Sequence, residues 1–390
     1  MHARKEKIKI DKEIRSIGII VDKMEKHEVV IVGAGPAGLH SAKILAENGK
    51  DVLVLEQLSE EGIGDKACAG VFTSKSVEVI RPPPFIYDIK SGEWDAVAHI
   101  VNKDIKIKGD VFRSPTVNKK KLSQWQLREA KKAGAKILDK SKVIRINKDK
   151  NELLVEKEKL FGYDYLLGAD GAKSLIRRSL GLKAGGLMRS SYIVPGKFER
   201  GDFFFDWKKY GSAVCYVIPH MNYGVFGVLW YDESYRTAEE KHKNFDLECE
   251  KRFGIKPTQH EGGCQLIGTD YEGYKFGNIY LIGDAGGFAD HNYGEGIYFA
   301  LKSGELIAKL ICGKSIKKEI KIFLIQKKRH EEIKIPLAIY RRIPRKLLKE
   351  FVPKSVELGY KIWANELAFN IGEMLFSIGT RIFVKAFVWE

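Results

Sequence analysis

No CxxC pair occurs among the five cysteines, Cys68, Cys215, Cys249, Cys264 and Cys312. An odd number of widely spaced thiols argues against a disulfide framework and against a zinc ribbon. No metal site is therefore expected, and a reducing cytoplasm is the simplest compartment. No uncharged apolar run reaches the roughly 18 residues that mark a spanning helix. The first residues lack the apolar stretch and small-residue cleavage site of a secretory leader, so secretion is not expected. Internal repeats and low-complexity tracts are also missing. What remains is a 390-residue chain, 44% hydrophobic and 30% charged, long enough for two or three lobes.

Acidic residues are in deficit. The net charge is +16, and the excess is uneven: Gly313 to Lys361 holds fifteen Lys/Arg against five Asp/Glu. Basic clusters at Lys327-Lys328-Arg329, Arg341-Arg342 and Arg345-Lys346 alternate with Ile333, Ile335, Leu337, Ile339, Ile343, Leu347 and Leu348. A basic amphipathic stretch of this kind suits an anionic membrane surface. A solvated helical face is the equal alternative. No nucleic-acid module accompanies the charge, so nucleic acid is not an expected partner. The expected location is the cytoplasm, with peripheral attachment to the inner face of the membrane as an extension of that reading.

A single complete dinucleotide fingerprint stands near the start, Val29-Val-Ile-Val-Gly33-Ala-Gly35-Pro-Ala37-Gly38. The β-branched run reads as a buried parallel strand. Gly33 permits the turn, Gly35 lets backbone approach a pyrophosphate, and Gly38 allows close helix–strand contact. Leu39 to Asn48 reads as the helix whose N-terminus attracts phosphate. Val52 to Leu55 is the second strand, and Glu56 follows Gly38 by 18 residues. A carboxylate at that point can accept hydrogen bonds from ribose hydroxyls.

Two later segments complete a set. Tyr163 to Arg178 is an apolar strand, an Asp170-Gly171 turn and a basic helix start. Leu281-Ile282-Gly283-Asp284 ends a strand, and Gly294-Glu295-Gly296-Ile297 opens a helix ending near Cys312. Asp284 can accept from a ribityl hydroxyl. The helix start can meet the flavin edge where negative charge collects on reduction. Together the motifs describe one FAD held from two ends of the chain. The expected fold is α/β, with a discontinuous Rossmann-like FAD-binding lobe, an antiparallel-sheet substrate lobe and a helical C-terminal segment.

Gly283 to Glu305, with Lys66-Ala67-Cys68-Ala69-Gly70, resembles the geranylgeranyl reductase family, within the aromatic-hydroxylase-like flavoprotein fold. That family includes archaeal digeranylgeranylglycerophospholipid reductases. The resemblance runs from about Glu28 to Leu310. It implies an FAD-dependent reductase that saturates isolated double bonds of a prenyl chain on a lipid. It also implies a flavin-contact set of Gly33, Gly35, Ala37, Gly38, Glu56, Cys68, Ala69, Lys119, Val143, Asp170, Asp284, Gly296 and Ile297. Cys68 is the candidate proton donor, with packing of a tight turn as its alternative. His291 is a second candidate acid or polar gate, with a surface-loop histidine as its alternative. Lys119 stands where the family usually has arginine, and Asp290-His291-Asn292 where it usually has Asn-Pro. The electron donor is open between NADPH and a small reduced iron–sulfur protein. Rival readings are a flavin monooxygenase and a membrane-associated electron-transfer flavoprotein.

The expected organisation is an extension over 1–26 and an FAD lobe over 27–82, 111–180 and 274–312. A substrate lobe covers 83–110 and 181–273, and a helical segment covers 313–390.

Overall fold

The computed structural model describes residues 24–332, apart from 67, 101–102, 108–113, 157–158, 206, 211–213, 232–237 and 291–293. Residues 1–23 of the expected extension and 333–390 of the expected helical segment lie outside the described residues.

Strand Glu25–Val32 lies inside the first sheet, between Val52–Leu55 and the distant Lys159–Gly168, both parallel to it. Lys136–Leu138 extends the sheet beyond Val52–Leu55, and Ile279–Leu281 extends it beyond Lys159–Gly168. Val29, Val30 and Ile31 are fully buried, as expected of a parallel strand covered on both faces. The hairpin Val143–Asn147 and Glu152–Val155 hangs from Lys159–Gly168. Sequence-distant strands thus deliver the glycine turn, the Asp170 turn and the Gly283-Asp284 turn to one sheet end.

Helix Pro36–Glu47 starts with Gly35 as N-cap and proline in its first turn. Proline suits that position because its missing N–H would have no helical partner. The helix packs against Ile297–Ile311. Gly304 makes that approach possible, since a Cβ there would lie 2.7 Å from the Ala37 carbonyl oxygen.

The second sheet has seven strands, in the order Glu261–Gly268, Gly186–Pro195, Tyr223–Tyr231, Val214–Pro219, Arg200–Phe205, Asp95–Ile100 and Lys103–Ile107. Its pairings are antiparallel except Arg200–Phe205 with Asp95–Ile100, which run parallel. The expected antiparallel sheet thus contains one parallel seam. The cause is topological: a chain insertion, rather than a hairpin neighbour, docks on that edge. Helix Ala238–Phe253, which pattern reading missed, covers one face through Phe245 and Cys249 against Phe204, Phe226 and Trp230.

Helix Lys317–Glu332 closes the described chain. Lys327, counted above in a basic surface cluster, is fully buried and donates to the carbonyls of Thr269 (2.9 Å) and Ala289 (2.8 Å). It braces the Gly-Asp loop and does not belong to an exposed cationic face. The clusters at Arg341-Arg342 and Arg345-Lys346, and His291, lie outside the described residues. Among the described residues no helix is long and apolar enough to cross a membrane.

Candidate functional site

A cavity of ≈ 1040 Å³ runs between the C-terminal ends of the parallel strands and one face of the second sheet. The glycines divide its labour. A Cβ on Gly33 would fall 2.5 Å from the Ala169 carbonyl oxygen, and one on Gly38 would fall 2.0 Å from the Gly33 carbonyl oxygen. Both are demanded by backbone packing, and Gly33 also sits at φ +104°. Gly38 does not border the cavity. Gly35 does, and a Cβ there would touch nothing within 4 Å. Open space over an exposed helix start is what a pyrophosphate requires.

Glu56 is buried and already holds the turn. Its Oε2 accepts from the Ala34 N–H at 2.7 Å and its Oε1 from the Leu58 N–H at 2.9 Å. Each carboxylate oxygen keeps a second lone pair for another donor. Asp170 Oδ2 accepts from the Leu175 N–H at 2.6 Å, at the start of helix Leu175–Ser179, whose N-cap is Ser174. The Asp170 Oδ1 is buried and has no hydrogen-bond partner among the described residues. Burial pushes the Asp170 carboxyl above its ordinary range, against the hydrogen bonds that stabilise its charge. Such an oxygen is suited to a polar cofactor group beside it.

Arg177 belongs to the same motif but serves the fold. It is 2% exposed and donates to the carbonyls of Lys183 (2.6 Å), Ala285 (3.3 Å) and Asp270 (2.6 Å), and to Glu272 (2.6 Å). Its fork ties the Asp170 turn to the Gly283-Asp284 turn. Asp284 borders the cavity at the foot of helix Ile297–Ile311, where Gly296 is the N-cap. Burial raises its pKa against the opposing pull of Lys66, the Gly268 amide and Arg189.

Cys68, Ala69, Lys119, Val143, Gly296 and Ile297 all border the same space, as do Ala37 and Asp284. Cys68 is half-buried and lies 3.8 Å from Arg189 Nη1. Burial alone would push its thiol up. Arg189, the Gly70 amide, Lys119 and Lys66 together outweigh burial and hold it below the ordinary thiol value. Burial, reinforced by Lys66 and Arg189, lowers Lys119 to about 8, and its ammonium donates to Ser123 Oγ at 2.6 Å. Arg189 was missed from sequence. Its one signal is a lone cation in the strand-like segment Leu187 to Val194. The register pairs it with Gln265, whose side chain accepts its other arm at 2.9 Å. The wall beyond is apolar, made by Phe203, Val214, Ile218, Leu229 and Ile267, with Tyr216 hydrogen-bonded to Ser191 at 2.9 Å.

Residues 26–260 match the family model described as FAD binding domain. The chain belongs to that family. FAD is the cofactor of this flavoprotein, and the residues present fit it: open space over Gly35, an unsatisfied buried oxygen on Asp170, and a cavity larger than a drug-sized ligand needs. The flavoprotein is 29% identical over 310 residues to an uncharacterized protein of Methanosarcina barkeri, covering 76% of this chain and 77% of that one. It is 26% identical over 388 residues to the digeranylgeranylglycerophospholipid reductase of Methanocaldococcus jannaschii, covering 93% and 95%. A geranylgeranyl bacteriochlorophyll reductase-like protein from Thermoplasma acidophilum shares the fold, with TM-score 0.64, 17% identity, and 92% of each chain covered. The resemblance read from Cys68 to Gly70 and Gly283 to Glu305 points to these same relatives.

Proposed function

We propose that this flavoprotein saturates isolated double bonds of a prenyl chain, with an isoprenoid glycerophospholipid as the favoured substrate. The observation that carries the reading is the composition of the wall facing the flavin-binding turns. Phe203, Val214, Ile218, Leu229 and Ile267 offer an apolar surface to a hydrocarbon chain, and Cys68, Lys119 and Arg189 supply polar groups beside it. The name of the Methanocaldococcus jannaschii relative supports it.

In this reading Gly33, Gly35 and Ala37 border the pyrophosphate, and Gly38 holds their turn. Glu56 takes the ribose and Val143 borders the adenosine end. Lys119 and Asp170 supply polar contacts to the cofactor's centre. Ala69, Asp284, Gly296 and Ile297 surround the flavin end. Bound and reduced, FAD supplies the hydride for the alkene. The protein orients the alkene, excludes water and provides the proton that balances the addition. Cys68 is the proposed proton donor, and Arg189 stabilises the thiolate left behind until solvent returns the proton. The reducing equivalents come from NADPH or a small iron–sulfur protein. The basic segment after Gly313 docks the chain on anionic lipid, where such a substrate resides.

The test is to incubate the anaerobically reduced protein with unsaturated prenyl glycerolipids and read products by mass spectrometry. Gain of two hydrogens per double bond is the expected result. A hydroxylated product would overturn it in favour of a monooxygenase. Reoxidation by quinone without alkene reduction would overturn it in favour of an electron-transfer flavoprotein. Flavin absorbance with each donor in turn separates the two reductants.

A further inference from the structure

We propose that His220 is a positioning residue that sets the reactivity of Cys68 by anchoring the Cys68–Gly70 turn to the second sheet. His220 follows strand Val214–Pro219 and is 2% exposed. Its Nε2 faces the Ala69 carbonyl at 3.0 Å and its Nδ1 faces Asp88 Oδ2 at 2.9 Å. Each ring nitrogen thus has an oxygen partner on a different element, which fixes the ring in one orientation. Tyr223 fixes it further. The two rings stack at 4.4 Å and 9°, and the Tyr223 hydroxyl donates to the same Asp88 oxygen at 2.9 Å. Burial, and then the Asp88 carboxylate, push the Tyr223 phenol well up, so it stays a donor.

A second restraint meets the first. Asp88 lies in strand Tyr87–Ile89, which pairs with Thr116–Val117, and the Val117 N–H donates to the Gly70 carbonyl at 2.8 Å. Gly70 sits at φ +67°, and a Cβ there would fall 2.6 Å from the Val117 oxygen and 2.7 Å from His220 Cε1. The turn is therefore gripped at both residues that follow Cys68. Its sulfur is left facing Arg189, with Lys119 from helix Lys119–Lys132 and Lys66 from the same turn as the other nearby cations. Without His220 the turn keeps only the Gly70–Val117 tether, its sulfur is no longer held against the guanidinium, and the thiol returns toward its ordinary protonation.

This inference rests on the proposed function only for its consequence in turnover, so its test reads thiol chemistry. The FAD-loaded full chain is treated with iodoacetamide across a pH series, and labelling of Cys68 is quantified on its peptide by mass spectrometry. His220→Leu should slow labelling at neutral pH about three- to tenfold and raise its pH midpoint. His220→Gln, whose amide can still reach the carbonyl, should recover most of the rate, a rescue that bulk packing would not produce. Asp88→Asn should give an intermediate loss and carries the test if His220→Leu does not fold. Flavin content and circular dichroism establish folding. Folded variants with the parent's rate and midpoint would overturn the proposal, as would a parent Cys68 that does not label. A parent that shows the labelling effects but reduces no prenyl lipid would support His220 and sink the reductase reading.

Discussion

Arg189 Nη1 stands 3.8 Å from Cys68 Sγ, although the two residues are 121 positions apart, one in strand Gly186–Pro195 and the other in the 68–70 turn. The second arm of the guanidinium is held by Gln265, so its charge is aimed at the sulfur. Arg189→Met should raise the Cys68 thiol toward its ordinary value and slow its alkylation at neutral pH by roughly three- to tenfold. Alkylation kinetics of Cys68 against pH check this. A midpoint that does not move would show that the Gly70 amide, Lys119 and Lys66 hold the thiol down without Arg189.

The two helix-start glycines should fail differently. Gly38→Ala drives a Cβ into the Gly33 carbonyl and should destabilise the flavin-free fold by about 2 kcal/mol or more. Gly35→Ala meets nothing among the described residues, and its extended backbone (φ −75°) suits any residue, so the same fold should unfold at the parent temperature. Its FAD affinity should nevertheless fall, because the methyl occupies the pyrophosphate's approach. Thermal unfolding and flavin titration of both variants separate the effects.

Lys119 gives a pH signature. Its folded pKa is lowered to about 8 from 10.5, chiefly by burial. Between those values the unfolded chain binds more protons, so stability from this group rises with pH across the window. Below about 8 the buried charge is a standing cost. Lys119→Met should flatten that rise and stabilise the flavin-free protein at pH 7 by about 1–2 kcal/mol. Denaturant unfolding from pH 7 to 10.5 reads it directly.

Membrane docking should depend on salt. Each basic group near an anionic surface contributes roughly 1 kcal/mol, and screening removes it. The protein should sediment with anionic vesicles at low salt, bind neutral vesicles less, and release at high salt. Replacing Arg341, Arg342, Arg345 and Lys346 by Gln should weaken sedimentation and leave FAD bound. Equal sedimentation by that variant would rule out this segment as the docking surface.

Much of the cofactor half was legible because its signals are local. A β-branched run, a glycine turn and a helix start are contiguous, and each follows from backbone sterics within about ten residues. The Asp170 and Gly283 turns were legible for the same reason. Arg177 was visible as a residue, but its role was not: a guanidinium serving four acceptors at once cannot be told from a surface arginine by spacing. Lys327 misled for a related reason. Charge runs read as solvated faces, and only the packing of helix Lys317–Glu332 reveals that this ammonium has carbonyls to replace water.

By itself the sequence determined the class of cofactor, the strand–turn–helix units that approach it and the apolar bias of the second sheet. These follow from residue type and short-range spacing. Only the tertiary structure decided which side chains gather around Cys68. Cys68 was marked by the Lys66–Gly70 turn, but Asp88, Arg189, His220 and Gln265 lie far from it in the chain, and none is marked by its neighbours. Their convergence depends on the register of strands Gly186–Pro195 and Glu261–Gly268, and on how the 68–70 turn docks between the two sheets. A one-residue slip in either register would turn each strand's side chains to the opposite face. That choice is made by burial of whole faces, a long-range quantity that local pattern does not contain.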